Sequence, residues 1–572
     1  MSCDARAAVG CKAGALAALV VALIPNAAGG RLPRKPAASE RRPAVLPPSA
    51  PSADEAPAPA EEDPDRERIL RLQAALYALI HSRPLSSLRV GVRVAQAHTG
   101  RLFYRRRADV LMDPASNQKV LATATALMRL GADWRFRTEV AGSAPDEQGT
   151  IAADVYLRGS GDPSLRAGDL GALADALMRG GVQRIDGDVV GDPRRIGSDV
   201  TAAGERGPLI VNRAAVTVRV RSGAATKAPA IVTVRPWSDA FVVRNRATTR
   251  AGGRTRIRVD VIRAGETMEV IVSGRIALHH PGAVIRKRVP HPALHAAALL
   301  REALVNAGIS VGGAARVGHA PRDTSLLAAH QSQPLGVLIR TVNKDSDNEW
   351  AERVLETVGA EVLGGAGSIE KGVRVLREVI AELGLRAGSY VPVNGSGLGH
   401  ANRITADAMA ALLGQIYFDP RVGPEIIQSL SVGGVDGTTR ARFRGSPASK
   451  RVRAKTGTLR GKSILSGYVG DGSDVLVFSI FTEGLRRRAT PTVRAAQVLA
   501  VNAMMRYVRD NGDLTLDGRA PGERVEDALP GVDFETGEEA TPDEPVEAPA
   551  PPGDGDPLDE LLRRAKDRNT PP

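Results

Sequence analysis

Residues 113–128 read DPASNQKVLATATALM, and the behaviour of Ser116 and Lys119 in this stretch decides how the chain is to be understood. Val120, Leu121, Ala124, Leu127 and Met128 fall on one face at helical spacing, and Gly131 stands where such a helix would stop. In a helix that begins near Ser116, residues three apart are neighbours, so the amine of Lys119 lies beside the Ser116 hydroxyl. A serine hydroxyl needs an adjacent base to become a nucleophile, and a lysine partly desolvated near other cations can lose its proton near neutral pH. The helix N-terminus also offers backbone N–H groups and positive potential to a developing oxyanion. Taken alone the pattern is weak, because Ser368-Ile-Glu-Lys371 matches it too.

Two further motifs lie downstream. Ser346-Asp347-Asn348 occurs once, in VNKDSDNEWAERVL. A hydroxyl and a carboxamide two residues apart can relay a proton and hold a substrate amide, while a helix N-cap is an equally ordinary use of Ser-Asp. Lys455-Thr456-Gly457-Thr458 sits in VRAKTGTLRGKSILSGYVG, a strand-like segment in which glycine permits close approach of another backbone and the lysine and threonine can meet a carboxylate. A basic hairpin arm is the plainer reading. Ser-x-x-Lys first, Ser-Asp-Asn second and Lys-Thr-Gly third is the set found in penicillin-binding proteins and serine β-lactamases. Ser368 falls out of this order and drops out.

With these motifs the chain resembles the class C low-molecular-mass penicillin-binding proteins, the D-alanyl-D-alanine carboxypeptidase/endopeptidase family, over about residues 68–510. Other matching pieces are Leu157 to Leu165 (LRGSGDPSL), Asp133 to Thr138 (DWRFRT), Ile185 to Asp188 (IDGD) and Gly434 to Thr438 (GVDGT). Ser116 and Ser346 lie 230 residues apart, and that interval is where the family carries its inserted domains. One departure is Asn394-Gly395-Ser396-Gly397-Leu398, where the family usually has aspartate first, so Asn394 is not placed among the catalytic residues.

The resemblance implies an α+β fold: a penicillin-binding-protein/serine β-lactamase-like transpeptidase domain, its sheet flanked by helices, with strand-rich inserted domains. It implies that Ser116 attacks the peptide carbonyl, that Lys119 takes its proton, and that Ser346 passes a proton to the departing amine with Lys455 nearby. Asn348 would hold the acyl-side amide, and Lys455, Thr456, Gly457 and Thr458 would line the substrate-binding strand. The N–H groups of Ser116 and Thr458 would form the oxyanion hole. The implied substrates are peptidoglycan stem peptides, with β-lactam antibiotics as covalent inhibitors, and neither cofactor nor metal is needed. Whether carboxypeptidase trimming or endopeptidase cleavage dominates stays open.

The periphery suggests an address. Arg6 and Lys12 precede the apolar run Ala13 to Ile24, which is too short to span a bilayer and is followed by small residues, the layout of a secretory signal over 1–28. Residues 29–65 hold nine prolines and read as a linker, and residues 513–572 carry 17 acidic and six basic residues with ten prolines, an acidic tail expected to be disordered. An exported protein of the periplasm or cell envelope is expected, with peripheral association to membrane or wall compatible with its charge. Between the tails, 66–139 and 331–512 are expected to form one discontinuous catalytic domain. The intervening 140–330 is rich in alternating segments such as VTVRV (216–220) and MEVIVSG (268–274) and reads as strand-rich insertions. Helical periodicity marks Arg66 to Ile80, Leu335 to Val342, Trp350 to Val362 and Val493 to Val508, with strands expected at Ser463 to Val469 and Val475 to Phe481.

Composition trims the alternatives. Both cysteines, Cys3 and Cys11, lie at the extreme N-terminus, which removes cysteine catalysis and thiolate metal sites from the body of the chain. The net charge is +13, and with a tail at −11 the rest carries +24, which suits anionic surroundings. Only 3% of residues are aromatic, which speaks against a nucleic-acid partner that relies on stacking. His291-Pro-Ala-Leu-His295 has the spacing of a metal pair but lacks the intervening glutamate and an obvious third ligand. A serine β-lactamase and a catalytically idle wall-binding protein are the remaining alternatives. No Glu-x-x-x-Asn lies between Ser346 and Lys455, so the class A means of activating deacylating water is not evident.

Overall fold

The computed structural model describes residues 57–83, 85–198, 207–470 and 474–509. The expected leader at 1–28, most of the linker and the acidic tail lie outside the described residues.

Val90, Val92 and Val94 alternate, Thr99-Gly100 marks a turn and Leu102 to Tyr104 restarts, the pattern of a hairpin; it forms from strands Arg89–Gln96 and Leu102–Arg106, which pair antiparallel. They do not stand alone. Arg89–Gln96 also pairs along its length with Leu476–Glu483, nearly 400 residues further on, and the sheet continues through Lys462–Val469 and Val452–Leu459 to the short strand Ser431–Val432. All neighbours in this six-stranded sheet run antiparallel, and its central strands are buried on both faces.

Each face has its own core. On one side helices Arg66–His81 and Thr490–Arg509 cover the sheet, burying Ile69, Leu72 and Leu76 with Val493 and Met504. The spacing of Ile69, Leu72, Leu76 and Leu79 places them on one stripe, and each is worth about 1.5–3 kcal/mol relative to exposure. On the other side lie Gln118–Leu130, Leu335–Lys344, Asn348–Leu363 and Ala406–Phe418, contributing Val120, Leu121, Ile339, Val354 and Leu412 to a second core. The sheet is thus flanked by helices, as an α+β reading requires.

The stretch from about 140 to 330 builds further sheets. Strands Arg137–Gly142 and Ser325–Gln331 pair antiparallel, so the chain leaves and returns side by side. They belong to a five-stranded sheet with Val155–Gly159, Val189–Arg195 and Ala315–Val317. Two three-stranded sheets follow: Phe241–Arg250 with Thr267–Ala277 and Arg256–Ala264, and Ala283–Arg288 with Ala215–Arg221 and Ile231–Arg235. Alternation had marked strands such as Ala215–Arg221 and Thr267–Ala277, though not Phe241–Arg250 or Ala283–Arg288. It did not mark helices Ala167–Arg179 and Pro292–Asn306, which pack Leu170, Leu173, Leu177, Leu300 and Leu304 against the five-stranded sheet.

Candidate active site

Ser116 sits in a single 3₁₀ turn, Ala115–Asn117, that feeds directly into the helix Gln118–Leu130. Ala115 takes a left-handed φ of 46°, a conformation costly for a residue with a Cβ. It is held there locally: the Ala115 N–H donates to Asp113 Oδ1 at 2.8 Å. The fully buried Asp113 carboxylate is bound in turn by Lys462 Nζ at 2.6 Å and lies 3.1 Å from His400 Nδ1.

One turn into the helix, the fully buried Lys119 amine donates to three acceptors. These are Ser116 Oγ at 2.9 Å, Asn348 Oδ1 at 2.7 Å and the Ser396 carbonyl at 2.7 Å. Burial lowers its pKa from the ordinary 10.5 to about 8, against the opposing pull of the Glu352 and Asp347 carboxylates. Lys119 is therefore able to exist as a neutral amine close to physiological pH.

The Ser346–Asn348 turn divides the two uses open to Ser-Asp between its residues. Asp347 is the N-cap of the helix Asn348–Leu363, its Oδ1 accepting the Trp350 N–H at 3.0 Å. Ser346, in a left-handed conformation at φ 60°, instead turns its hydroxyl to Lys455 Nζ, 2.9 Å away. Lys455 is fully buried and also donates to the Thr456 carbonyl at 3.0 Å. Its pKa is pushed well below the lysine range, first by burial and then by the charge of Lys119.

Strand Val452–Leu459 presents Lys455 and Gly457 to the serine turn. A Cβ at Gly457 would stand 2.9 Å from the Pro114 carbonyl, so glycine is what lets the strand come this close. With its amide oriented to satisfy its neighbours, Asn117 accepts the Gly457 N–H at 3.2 Å and donates to the Lys455 carbonyl at 3.2 Å. Thr456 and Thr458, one residue out of phase, use their hydroxyls elsewhere: Thr456 donates to Thr438 Oγ1 at 2.8 Å, and Thr458 accepts from Arg494 at 3.2 Å. The fold therefore brings together Ser116, Lys119, Ser346, Asn348, Lys455 and Gly457. It does not bring the two threonine hydroxyls into contact with them.

Several participants had no signal in the motifs. Ser396 contributes only a backbone oxygen, presented by the loop that begins at Asn394. Gly397 in that loop has φ +80°, and a Cβ there would lie 1.8 Å from the Ala115 carbonyl. Asn394 stays away from Lys119 and ties its own loop, accepting the Gly397 N–H at 2.8 Å. Glu352 accepts the N–H groups of Gly395 and Ser396, both at 3.0 Å. Its position four residues after Asn348, on the same helix face, was the available clue.

The remaining motifs lie apart from this cluster. Ser368 caps the helix Ile369–Glu382 by accepting the Lys371 N–H at 3.2 Å, and Lys371 Nζ binds the carbonyls of Gly364 and Ala366. His295 is buried against the Phe241 ring, and desolvation lowers its pKa to about 4, which keeps it neutral. Among the described residues no group of three or more His, Cys, Asp or Glu side chains is arranged to hold a metal ion.

A helix-flanked antiparallel sheet, with a serine one turn before a buried lysine and a Lys-Thr-Gly strand beside them, defines the class of penicillin-binding-protein and serine β-lactamase-like folds. Residues 72–504 match the model of the D-Ala-D-Ala carboxypeptidase 3 (S13) family, and the chain belongs to that family. It is 34% identical over 457 residues to the D-alanyl-D-alanine carboxypeptidase of Actinomadura sp. (strain R39), covering 74% of this chain and 83% of that one. It is 30% identical to the carboxypeptidase DacB of Mycolicibacterium smegmatis, over 86% of this chain and 95% of the relative. Penicillin-binding protein 4 of Haemophilus influenzae, solved in complex with a β-lactam, shares the fold with a TM-score of 0.61 at 23% identity, covering 75% of this chain and 97% of that structure. The protein is accordingly a hydrolase, a serine-type D-Ala-D-Ala carboxypeptidase.

Proposed function

We propose that Ser116 is the nucleophile through which the protein cleaves D-Ala-D-Ala or D-Ala-diaminopimelate bonds in peptidoglycan stem peptides, forming an acyl-enzyme. The observation that carries this reading is the three-acceptor environment of Lys119. A neutral amine has two N–H bonds and one lone pair. Asn348 Oδ1 and the Ser396 carbonyl each take one N–H, so the lone pair is left for the Ser116 hydroxyl.

The chemistry follows with protons in balance. The Ser116 oxygen bonds to the carbonyl carbon as its proton passes to Lys119. The C–N bond then breaks as Ser346 gives its proton to the leaving amine and draws a replacement from Lys455. Lys119 must lose, and Lys455 regain, one proton before the next cycle, and water hydrolyses the acyl ester. Backbone N–H groups at Ser116 and Thr458 are the expected oxyanion donors, and loss of one such donor typically costs about 10²–10³ in rate. Asn348 is assigned the acyl-side amide. The substrate carboxylate is assigned to Lys455, Thr456 and Thr458, reached around the strand edge beyond the pairing of Ser431–Val432 with Arg453 and Ala454.

The same reading divides the chain into a catalytic domain, 66–139 with 331–512, and insertions at 140–330, supported by the adjacent exit and return strands. Export to the periplasm or envelope rests on the residues 1–28 pattern. Among the described residues no helix is long and apolar enough to cross a membrane.

Intact-mass measurement after incubation with penicillin tests the assignment. Wild type gains the mass of one penicillin in a long-lived adduct, and Ser116→Ala gains nothing. Penicillin hydrolysed many times over within minutes would make the protein a β-lactamase instead. An unlabelled wild type would mean an idle site.

A further inference from the structure

The three-stranded sheet of Ala283–Arg288, Ala215–Arg221 and Ile231–Arg235 has two unlike faces. Its inner face buries Val216, Val218, Val220 and Val234. Its outer face carries Arg219, Arg221, Arg235, Arg286 and Arg288, all exposed, and the residues interleaved with them on that face include no acid. Arg286, Thr217 and Arg235 stand in one row across the strands, and Val284, Arg219 and Thr233 in the next. Rows on one face repeat about every 7 Å and strands about every 5 Å. Among the described residues Arg219, Arg221 and Arg235 pair with no carboxylate. Like charges gathered on one sheet face repel one another and disfavour the folded state unless an anion lies among them.

One end of this face abuts the catalytic turn. Arg288 binds Glu349 Oε2 at 2.9 Å, and Arg286 donates to the Asn212 carbonyl at 3.1 Å. Arg213 binds Asp347 Oδ2 at 2.8 Å. Asp347 and Glu349 flank Asn348. Arg213 is delivered by three consecutive left-handed residues, Asn212, Arg213 and Ala214, with φ of 52°, 62° and 49°. Three such non-glycine residues in a row are strained, and the pairing with Asp347 helps hold them. The basic face is thereby anchored to the turn that carries Ser346 and Asn348.

We propose that this face docks the peptidoglycan polymer itself, through the free carboxylates of stem peptides neighbouring the one that enters the site. The proposal rests on the Ser116 reading above and adds to it a surface outside the catalytic cluster. Continuity decides the occupant: the arginine rows lead along the sheet to Arg286 and Arg288, and Arg288 binds Glu349, the residue next to Asn348. The chain's own acidic tail is the other anion at hand. It follows the helix Thr490–Arg509, which covers the opposite side of the six-stranded sheet from Ser116.

The test compares full-length protein with the triple variant Arg219→Gln, Arg221→Gln, Arg235→Gln, both in a Ser116→Ala background, by sedimentation with purified sacculi freed of phosphate polymers. The variant is expected to sediment at least fivefold less at low salt, and wild-type sedimentation to weaken as salt rises. With Ser116 restored, the triple variant releases peptide from sacculi at least fivefold more slowly, while penicillin acylates Ser116 at a rate within twofold of wild type. Equal sedimentation of the two proteins overturns the proposal, as does dependence on the arginines only in sacculi that keep their phosphate polymers. Wild-type binding that appears only after deletion of residues 513–572 would assign the face to the tail and overturn it as well. Penicillin acylation is independent of the face, so its failure in wild type would instead reject the Ser116 assignment.

Discussion

The Glu352 carboxylate accepts the backbone N–H of Ser396 at 3.0 Å, and the carbonyl of that same residue accepts the Lys119 amine at 2.7 Å. One helix therefore supplies both Asn348, which touches Lys119, and the group that holds the other acceptor in place. The charged groups acting on Lys119 are Glu352 and Asp347, which favour its protonated form, while the charge of Lys119 in turn disfavours protonation of Lys455. Glu352→Gln keeps the shape and removes one negative charge. Penicillin acylation followed against pH is expected to show its acid limb moved to lower pH, with the plateau rate reduced about tenfold by the loosened loop. A reduced plateau with an unmoved limb would leave Glu352 only a scaffolding role.

The lowered pKa of Lys119 sets the direction of the wild-type profile. A base must be deprotonated, so acylation rises with pH up to about 8 and levels off above it. Below that point the rate falls about tenfold per pH unit. Stopped-flow acylation between pH 6 and 10 checks this, and a flat profile would remove Lys119 as the base.

Ser346→Ala deletes the hydroxyl that Lys455 contacts. Peptide cleavage is expected to fall by about 10²–10⁴, the usual worth of a positioned proton donor. Product release from a D-Ala-D-Ala peptide measures it, with thermal unfolding as the control for fold.

Two glycines with similar positive φ make a paired test. Gly397→Ala would drive its Cβ into the Ala115 carbonyl, whereas Gly131, at φ +88°, has nothing within 4 Å of an added Cβ. Gly131→Ala is expected to cost about 1 kcal/mol in stability with acylation unchanged. Gly397→Ala should cost more and slow acylation, because the displaced segment carries Ser116.

Ser368→Ala removes a helix cap and is expected to cost about 1 kcal/mol, read from denaturant unfolding, without altering penicillin acylation. A change in acylation would mean that the second Ser-x-x-Lys is not merely structural.

Much of the frame was legible because it is local. The stripe of Ile69, Leu72, Leu76 and Leu79, the alternation in 216–220 and the turn at Thr99-Gly100 all report periods that a short window contains. The helices Ala167–Arg179 and Pro292–Asn306 were passed over although Leu170, Leu173 and Leu177 carry the helical spacing, because alternating segments dominate that region. Ser396 was beyond reach for a different reason: it acts through a carbonyl, and every residue has one. Glu352 and Arg213 look like any surface charge until their partners are known.

By itself the sequence determined the kinds of chemical group on offer and one short-range pairing, Ser116 with Lys119, since three residues of helix bring them together wherever that helix lies. Tertiary structure decided the rest. Asn348 and Ser396 reach Lys119 across more than 200 residues of chain, and only the packing of helices onto the six-stranded sheet brings them there. The same packing strips water from Lys119 and Lys455, and that desolvation pulls both amines below the ordinary lysine range, Lys119 to about 8, where it can take a proton close to neutrality.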